Sequence, residues 1–296
     1  MEKIKIIANP KSGKEQAINK INALISLFSQ DGYKIDLRFT TKRGDAMIFA
    51  EEDDGEDLII SVGGDGTLNE VVNGLYKSKR DVPLAILQAG TVNDFANVLK
   101  IPNNIRGFYE MIKRGKIKKV DLGMAGDRVF VNVAAGGMFT NIAYQVPEEK
   151  KTLLGRMAYY IEGVKELTKL GNPEESIIEA KINCEELNTV ENVLMFIIAN
   201  SASVGGFRYL APDAEVFDGY LDVLIVKELE LYDIPLLLPS ILNGTHTEHD
   251  KVIYLKTKEI TIESNKDVVI DVDGEKTESL PMTFKILEKA LNLVVN

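Results

Sequence analysis

One cluster of small residues, Gly63-Gly64-Asp65-Gly66-Thr67, limits what this chain can fold into more than any other feature. Residues 58–62 before it form a short, continuous apolar run, the pattern of a strand buried on both faces. Val71, Val72 and Leu75 after it repeat at helical spacing. The same join recurs twice. Residues 4–8 run into Asn9-Pro10-Lys11-Ser12-Gly13-Lys14, and residues 84–87 run into Gly90-Thr91-Val92-Asn93-Asp94-Phe95. Residues 35–39 form a further strand-like run, and Ile18, Ile21, Leu24, Ile25 and Phe28 share one helical face. Strands alternating with helices at this spacing imply βαβ units, and therefore an open α/β domain around a parallel sheet.

The joins carry unusual chemistry. The first is not a Walker A loop, because it lacks the first glycine of that motif and Glu15 stands where Ser or Thr is required. The second and third share Gly-Thr-(Leu/Val)-Asn-acid. Thr67 with Glu70, and Thr91 with Asp94, have capping-box spacing, and that role is expected for Glu70. Capping leaves the crowd of glycines around Asp65 unexplained, since one glycine would make the turn. Glycines let backbone approach a ligand closely, and the helix that follows offers free N–H groups and a positive dipole end to an anion. In an open parallel sheet such loops line the carboxyl edge of the strands, where ligands bind. Several helix N-termini there suit a polyphosphate, which Asp65 would repel unless a cation such as Mg²⁺ intervenes.

After Asp121 the pattern changes. Residues 128–134 read as a strand and 153–170 as a helix. From 177 the chain is mostly strands, at 177–182, 193–199, 221–226, 252–255, 260–262, 268–272 and 282–286, with an apolar helix-like insert at 234–242. That succession implies an antiparallel sheet or sandwich. A last strand, 291–295, fits either half. In a chain of 296 residues this organisation gives two domains with no Pro-, Gly- or Ser-rich linker between them.

Composition excludes several classes. The net charge of −10 opposes nucleic-acid binding. The lone Cys184 forms no intrachain disulfide and points to a reducing compartment, the cytoplasm. His246 and His249 are the only histidines, and their spacing is not that of zinc-protease signatures, so a structural role is expected. The N-terminus lacks a secretory signal, and the longest apolar run, 193–199, is too short to span a membrane. Lys113, Arg114, Lys116, Lys118 and Lys119 form a local basic run, read as a solvated face or as a contact for an anionic membrane. Residues 150–164, which mix basic, aromatic and apolar side chains, suit a membrane interface or a core helix.

Asn9-Pro-x-Ser-Gly13, Gly63-Gly-Asp-Gly-Thr-x-Asn-Glu70 and Gly90-Thr-x-Asn-Asp-Phe-Ala96 resemble the diacylglycerol kinase catalytic family, and within it the bacterial soluble lipid kinases. The resemblance continues through Lys119-Val-Asp121-Leu-Gly123, Ala211-Pro-Asp-Ala214, Asp218-Gly219 and Asp273-Gly-Glu275, and so covers nearly the whole chain. It implies an N-terminal α/β nucleotide domain of NAD kinase/phosphofructokinase type, residues 1–122 with 288–296 returning to it. Residues 123–287 would form a C-terminal antiparallel β-sandwich that carries the lipid site. It also implies ATP contacts at Asn9, Pro10, Lys11, Ser12, Gly13, Thr40, Gly64, Asp65, Gly66, Thr67, Leu68, Asn69, Glu70 and Thr91. Asp65, Asp94 and Asp121 would organise magnesium and water between the domains. Asp218, with the carbonyls of Glu215 and Tyr220, would hold a second, structural magnesium.

Glu275 would be the general base. On spacing alone Asp273-Gly274-Glu275 is equally a hairpin turn. Asp273 would support Glu275 or simply make that turn. The activity implied is ATP- and Mg²⁺-dependent phosphorylation of diacylglycerol to phosphatidic acid, at the inner face of the membrane. Another lipid (a sphingoid base or a phosphatidylglycerol type), NAD as a soluble acceptor, a non-catalytic nucleotide-binding regulator and a homodimer remain open.

Overall fold

A computed structural model describes residues 2–13, 15–90, 92–138, 177–203, 209–229, 233, 237, 240–241 and 243–296. The helix expected at 153–170, the basic and apolar segment 150–164 and most of the apolar insert 234–242 lie outside these residues, as does Thr91. The first half is β1 (Lys3–Ala8), α1 (Glu15–Gln30), β2 (Lys34–Phe39), α2 (Asp45–Glu51), β3 (Leu58–Gly63), α3 (Asp65–Ser78), β4 (Leu84–Gln88), α4 (Asp94–Val98) and α5 (Ile105–Arg114). Strands β2, β1, β3 and β4 pair in parallel in that order. β1, β3 and β4 are buried almost throughout, as their unbroken apolar runs require. Ala17, Ile21, Leu24 and Phe28 on α1 and Leu68, Val71, Val72 and Leu75 on α3 close over the sheet. Each large apolar side chain buried this way contributes about 1.5–3 kcal/mol.

The second half comprises β5 (Ile117–Ala125), β6 (Arg128–Phe130), β7 (Val133–Gly137), β8 (Ile178–Cys184), β9 (Asn188–Ala199), β10 (Leu221–Lys227), β11 (Val252–Thr257), β12 (Glu259–Ser264), β13 (Val269–Val272), β14 (Glu275–Ser279) and β15 (Met282–Val294). Apart from the parallel contact of β15 with β4, all pairing here is antiparallel. β9 pairs with β8 over its first part and lies between β7 and β10 over its second. One core, including Phe130, Phe196, Ile225, Ile262, Ile270 and Phe284, fills the sandwich, and a third cluster around Ile197, Leu210 and Leu224 covers an outer face. The α/β domain and the β-sandwich are both present, as the pattern predicted.

Two elements differ from the sequence reading for physical reasons. The single strand expected at 128–134 is two, because the amides of Val131, Asn132 and Val133 all turn to the Asp273 carboxylate at 2.8–3.0 Å instead of continuing a ladder. The two strands expected at 282–286 and 291–295 are one, β15, which is irregular between Leu287 and Leu291. There Lys289 takes φ 53° and its amide meets Asp121 Oδ1 at 2.6 Å. β5 and β15 pair along their length and run through both cores.

Candidate active site

The loops after β1, β3 and β4 touch each other. A Cβ on Gly90 would lie 2.5 Å from Gly64 Cα, and one on Gly13 would lie 2.1 Å from the Ala89 carbonyl oxygen. None of Gly63, Gly64, Gly66 or Gly90 has positive φ. At Gly63 and Gly90, where an added Cβ would come within 2.5 Å of a neighbour, glycine therefore serves close approach rather than turn geometry. Asn93 closes the third loop, with its side chain bonded to both the amide and the carbonyl of Gly90 at 3.1 and 2.8 Å. α3 is capped at Gly64 by no side chain. Its first N–H groups are thus left for an acceptor from outside, beside an exposed Gly66 with open space at its Cα.

The remaining side chains expected to contact nucleotide mostly face the protein. Thr67 is buried over Gly63, and Leu68 belongs to the core. Buried Asn69 donates to Asp273 Oδ2 at 2.8 Å and to the Val129 carbonyl at 3.1 Å. Glu70 does not cap its own helix, which corrects the capping-box reading. α3 begins at Asp65, so Glu70 sits in its second turn and instead accepts from Gly44 N (2.9 Å) and Ala46 N (3.1 Å) at the start of α2. For Thr91 with Asp94 the cap position of α4 is Asn93, with φ 54° and no side-chain cap bond. Asn9, Pro10, Lys11, Ser12 and Gly13 form a turn held by Lys11 N on Asn9 Oδ1 at 3.0 Å. Thr40 follows β2, and its amide bonds the Ala8 carbonyl beside that turn at 2.9 Å.

The Asp65 carboxyl is raised to about 6 by burial and then by the charges of Asp94 and Asp273. Its Oδ2 accepts from Asn93 N at 3.0 Å, while its buried Oδ1 has no partner. An orphaned carboxylate oxygen beside a second carboxylate is a site that a divalent cation would satisfy. Among the described residues no three His, Cys, Asp or Glu side chains form a ready cage. Magnesium fits such an incomplete set, because it takes one or two carboxylates and completes its shell with phosphate and water.

Asp94 leads across to the second domain. Ser203 Oγ donates to Asp94 Oδ1 at 2.6 Å, Ser201 Oγ to Asn132 Oδ1 at 2.9 Å, and Asn132 N to Asp273 Oδ1 at 3.0 Å. Asp273 takes φ 50° and accepts from three backbone amides and Asn69, while burial pushes its carboxyl up. Two residues on, Glu275 Oε2 meets Arg128 Nη2 and, at 2.7 Å, Arg43 Nη2. Residues from both domains thus form one polar belt from Asp65 to Glu275. Ser201, Ser203, Asn132, Arg43 and Arg128 escaped the sequence reading. A usable signal was present in the polar stretch Asn200-Ser201-Ala202-Ser203, which ends an otherwise apolar strand.

Two expected metal groups, Asp121 and Asp218, have protein partners on both carboxylate oxygens. Asp121 is buried, and its oxygens accept from Gly219 N (2.8 Å) and Lys289 N (2.6 Å), which makes it a brace between the 215–220 turn and β15. Asp218 accepts Tyr220 N at 3.0 Å on one oxygen and the Lys256 ammonium at 2.6 Å on the other. Lys256 also reaches the Asp213 carbonyl at 2.7 Å and Asp222 Oδ2 at 3.2 Å. With Glu215 and Tyr220 expected to offer carbonyls, this set already holds a positive charge, and both Asp218 oxygens have partners. The expected second magnesium would have to displace the Lys256 ammonium from Asp218. His246 is buried against the Leu210 carbonyl, in the structural role expected.

The basic run 113–119 lies at the opposite edge of the sheet from the glycine loops. Lys118 pairs with Leu293, which pairs with Leu84 at the start of β4, whereas the loops follow the strand ends. Among the described residues no helix is long and apolar enough to cross a membrane.

Residues 3–125 match the diacylglycerol kinase catalytic domain, and residues 132–295 match the YegS C-terminal NAD kinase beta sandwich-like domain. Diacylglycerol kinases of Staphylococcus aureus strains RF122 / ET3-1 and MRSA252 are each 38% identical over 295 residues, covering 99% of this chain and 92% of theirs. The crystal structure of a diacylglycerol kinase from Bacillus anthracis str. Sterne aligns with a TM-score of 0.82 at 27% identity, over 100% of this chain and 97% of that one. Full-length similarity of this degree, joined to the shared two-domain fold, places the chain in the diacylglycerol kinase catalytic family.

Proposed function

We propose that this protein transfers the γ-phosphoryl group of ATP, with magnesium, to the free hydroxyl of diacylglycerol and releases phosphatidic acid. The observation that carries the reading is the belt joining Asp65, under the glycine loops, to Glu275 across the domain interface. The N–H groups that open α3, with the loops at Asn9–Gly13 and Gly90, hold the phosphates. Asp65 and Asp94 would hold magnesium, which when bound would neutralise charge on the transferring phosphoryl group. Asp273 fixes the turn that presents Glu275. As the acceptor oxygen bonds the γ-phosphorus in line with departure of the bridging oxygen, the hydroxyl proton passes to Glu275. ADP leaves with the electron pair of the broken bond. Asp121, bonded to two backbone amides, is assigned a positioning role for the domain junction.

The test is transfer of label from γ-labelled ATP in mixed micelles holding diacylglycerol, a sphingoid base or phosphatidylglycerol, with NAD as the soluble acceptor. Label in phosphatidic acid supports the reading, and label in another acceptor reassigns the substrate. Glu275→Gln should lower kcat by about 10²-fold or more with the KM for ATP unchanged. Wild-type turnover in that variant removes the general-base assignment.

A further inference from the structure

Glu275 is held by one oxygen only. Arg128 Nη2 and Arg43 Nη2 both meet Oε2, and among the described residues no partner falls on Oε1. Building on the proposed transfer, we propose that Arg43 and Arg128 are positioning residues. They lock the Glu275 carboxylate so that Oε1 is the atom that accepts the hydroxyl proton.

The two guanidiniums come from opposite domains. Arg128 stands on β6, and Arg43 stands in the loop before α2. Two like charges converge on one oxygen at a cost that only the carboxylate offsets, so the arrangement is specific to a glutamate held there. A carboxylate free to rotate about its last bond would offer either oxygen. Two donors on Oε2 remove that freedom and leave the lone pairs of Oε1 without a donor among the described residues.

Both guanidiniums are also registered against the phosphate helix through adjacent residues of α3. Arg128 Nη2 reaches Asn69 Oδ1 at 3.5 Å. The Arg43 loop is tied to Glu70 through Gly44 N and Ala46 N, and stiffened by Asp45, which accepts from Thr41 N and Lys42 N at 2.8 and 3.0 Å. The helix that receives phosphate therefore sets the direction of the proton acceptor. In the step itself the O–H bond of the acceptor breaks, its proton bonds Oε1, and the acceptor oxygen keeps the electron pair with which it bonds phosphorus. Oε2 stays with the two guanidiniums throughout. That division of labour accounts for two cations on a group that must remain available to a proton.

Steady-state kinetics of Arg43→Met, Arg128→Met, Arg128→Lys, Glu275→Gln and each Arg→Met variant combined with Glu275→Gln test this in the full-length protein with ATP and magnesium. Each Met variant should lower kcat about tenfold or more, with the KM for ATP within about twofold of wild type. Arg128→Lys should recover part of the loss. The double variants should be no slower than Glu275→Gln alone, because a residue acting through Glu275 has nothing left to act on. Multiplying losses in the double variants, or a raised KM for ATP at unchanged kcat, overturns the proposal. The Arg43 side chain is 69% exposed, so Arg43→Met leaves the cores intact and decides the matter if Arg128→Met fails to fold. Unchanged turnover in Glu275→Gln alone would instead sink the base assignment itself, a separate outcome.

Discussion

Asp65 concentrates the opposition between stability and chemistry in this site. Its carboxyl, at 3.8 in an ordinary setting, is raised to about 6 by burial and by Asp94 and Asp273. Between those values the unfolded chain releases a proton that the folded chain keeps. Stability is therefore full below about pH 4 and falls as pH rises through about 6, by about 3 kcal/mol for a shift of roughly two units. Asp65→Asn should remove that penalty. In the absence of magnesium its urea midpoint should exceed the wild-type midpoint at pH 7.5 and approach it at pH 4, while phosphoryl transfer is lost. An equal separation at both pH values would refute the assigned cause. Asp273 resolves the same opposition differently, because four donors surround its carboxylate and convert a buried charge into an anchor.

At the scale of elements, helix ends are served by residues remote in sequence. Glu70 of α3 satisfies two N–H groups at the start of α2, and α3 keeps its own start open. Glu70→Ala should then cost about 1–2 kcal/mol in urea denaturation, the worth of lost capping bonds, with the m-value unchanged. A cost near zero would show that the ends of α2 are satisfied otherwise. The break between β6 and β7 belongs to the same scale. Three consecutive amides leave the ladder for one carboxylate, and that break lets Arg128 and Asn132 enter the belt from either side.

Across the whole molecule, the long strands β5 and β15 make the two domains one cooperative object. Val120, Leu122 and Met124 belong to the first core and Ala125 to the second, while β15 gives Leu291 and Leu293 to the first and Met282 and Phe284 to the second. Neither core can lose these strands without exposing the other. Scanning calorimetry at neutral pH should therefore show one transition, with a calorimetric to van't Hoff enthalpy ratio of about 1. Two resolved transitions would mean that the strands uncouple at the Lys289 irregularity. The belt from Asp65 to Glu275 spans the same junction, so domain cohesion and site geometry rest on shared residues.

The strands and helices of the first domain were legible from periodicity, because buried parallel strands and one-sided helices each have a distinct spacing of apolar residues. The glycine loops were legible because close backbone approach demands glycine, as Gly64 against Gly90 demonstrates. Motif resemblance supplied Asp94 and Glu275. What sequence could not supply were pairings between residues far apart along the chain: Glu70 with α2, Asp121 with Gly219 and Lys289, Ser203 with Asp94, and two arginines on Glu275. A polar side chain has no period and no preferred neighbour in sequence, and its partner is whichever donor or acceptor packing delivers. Local order and the glycine loops were thus determined by the sequence itself. Only the tertiary structure decided which partners each carboxylate meets, because packing alone brings distant donors and acceptors together.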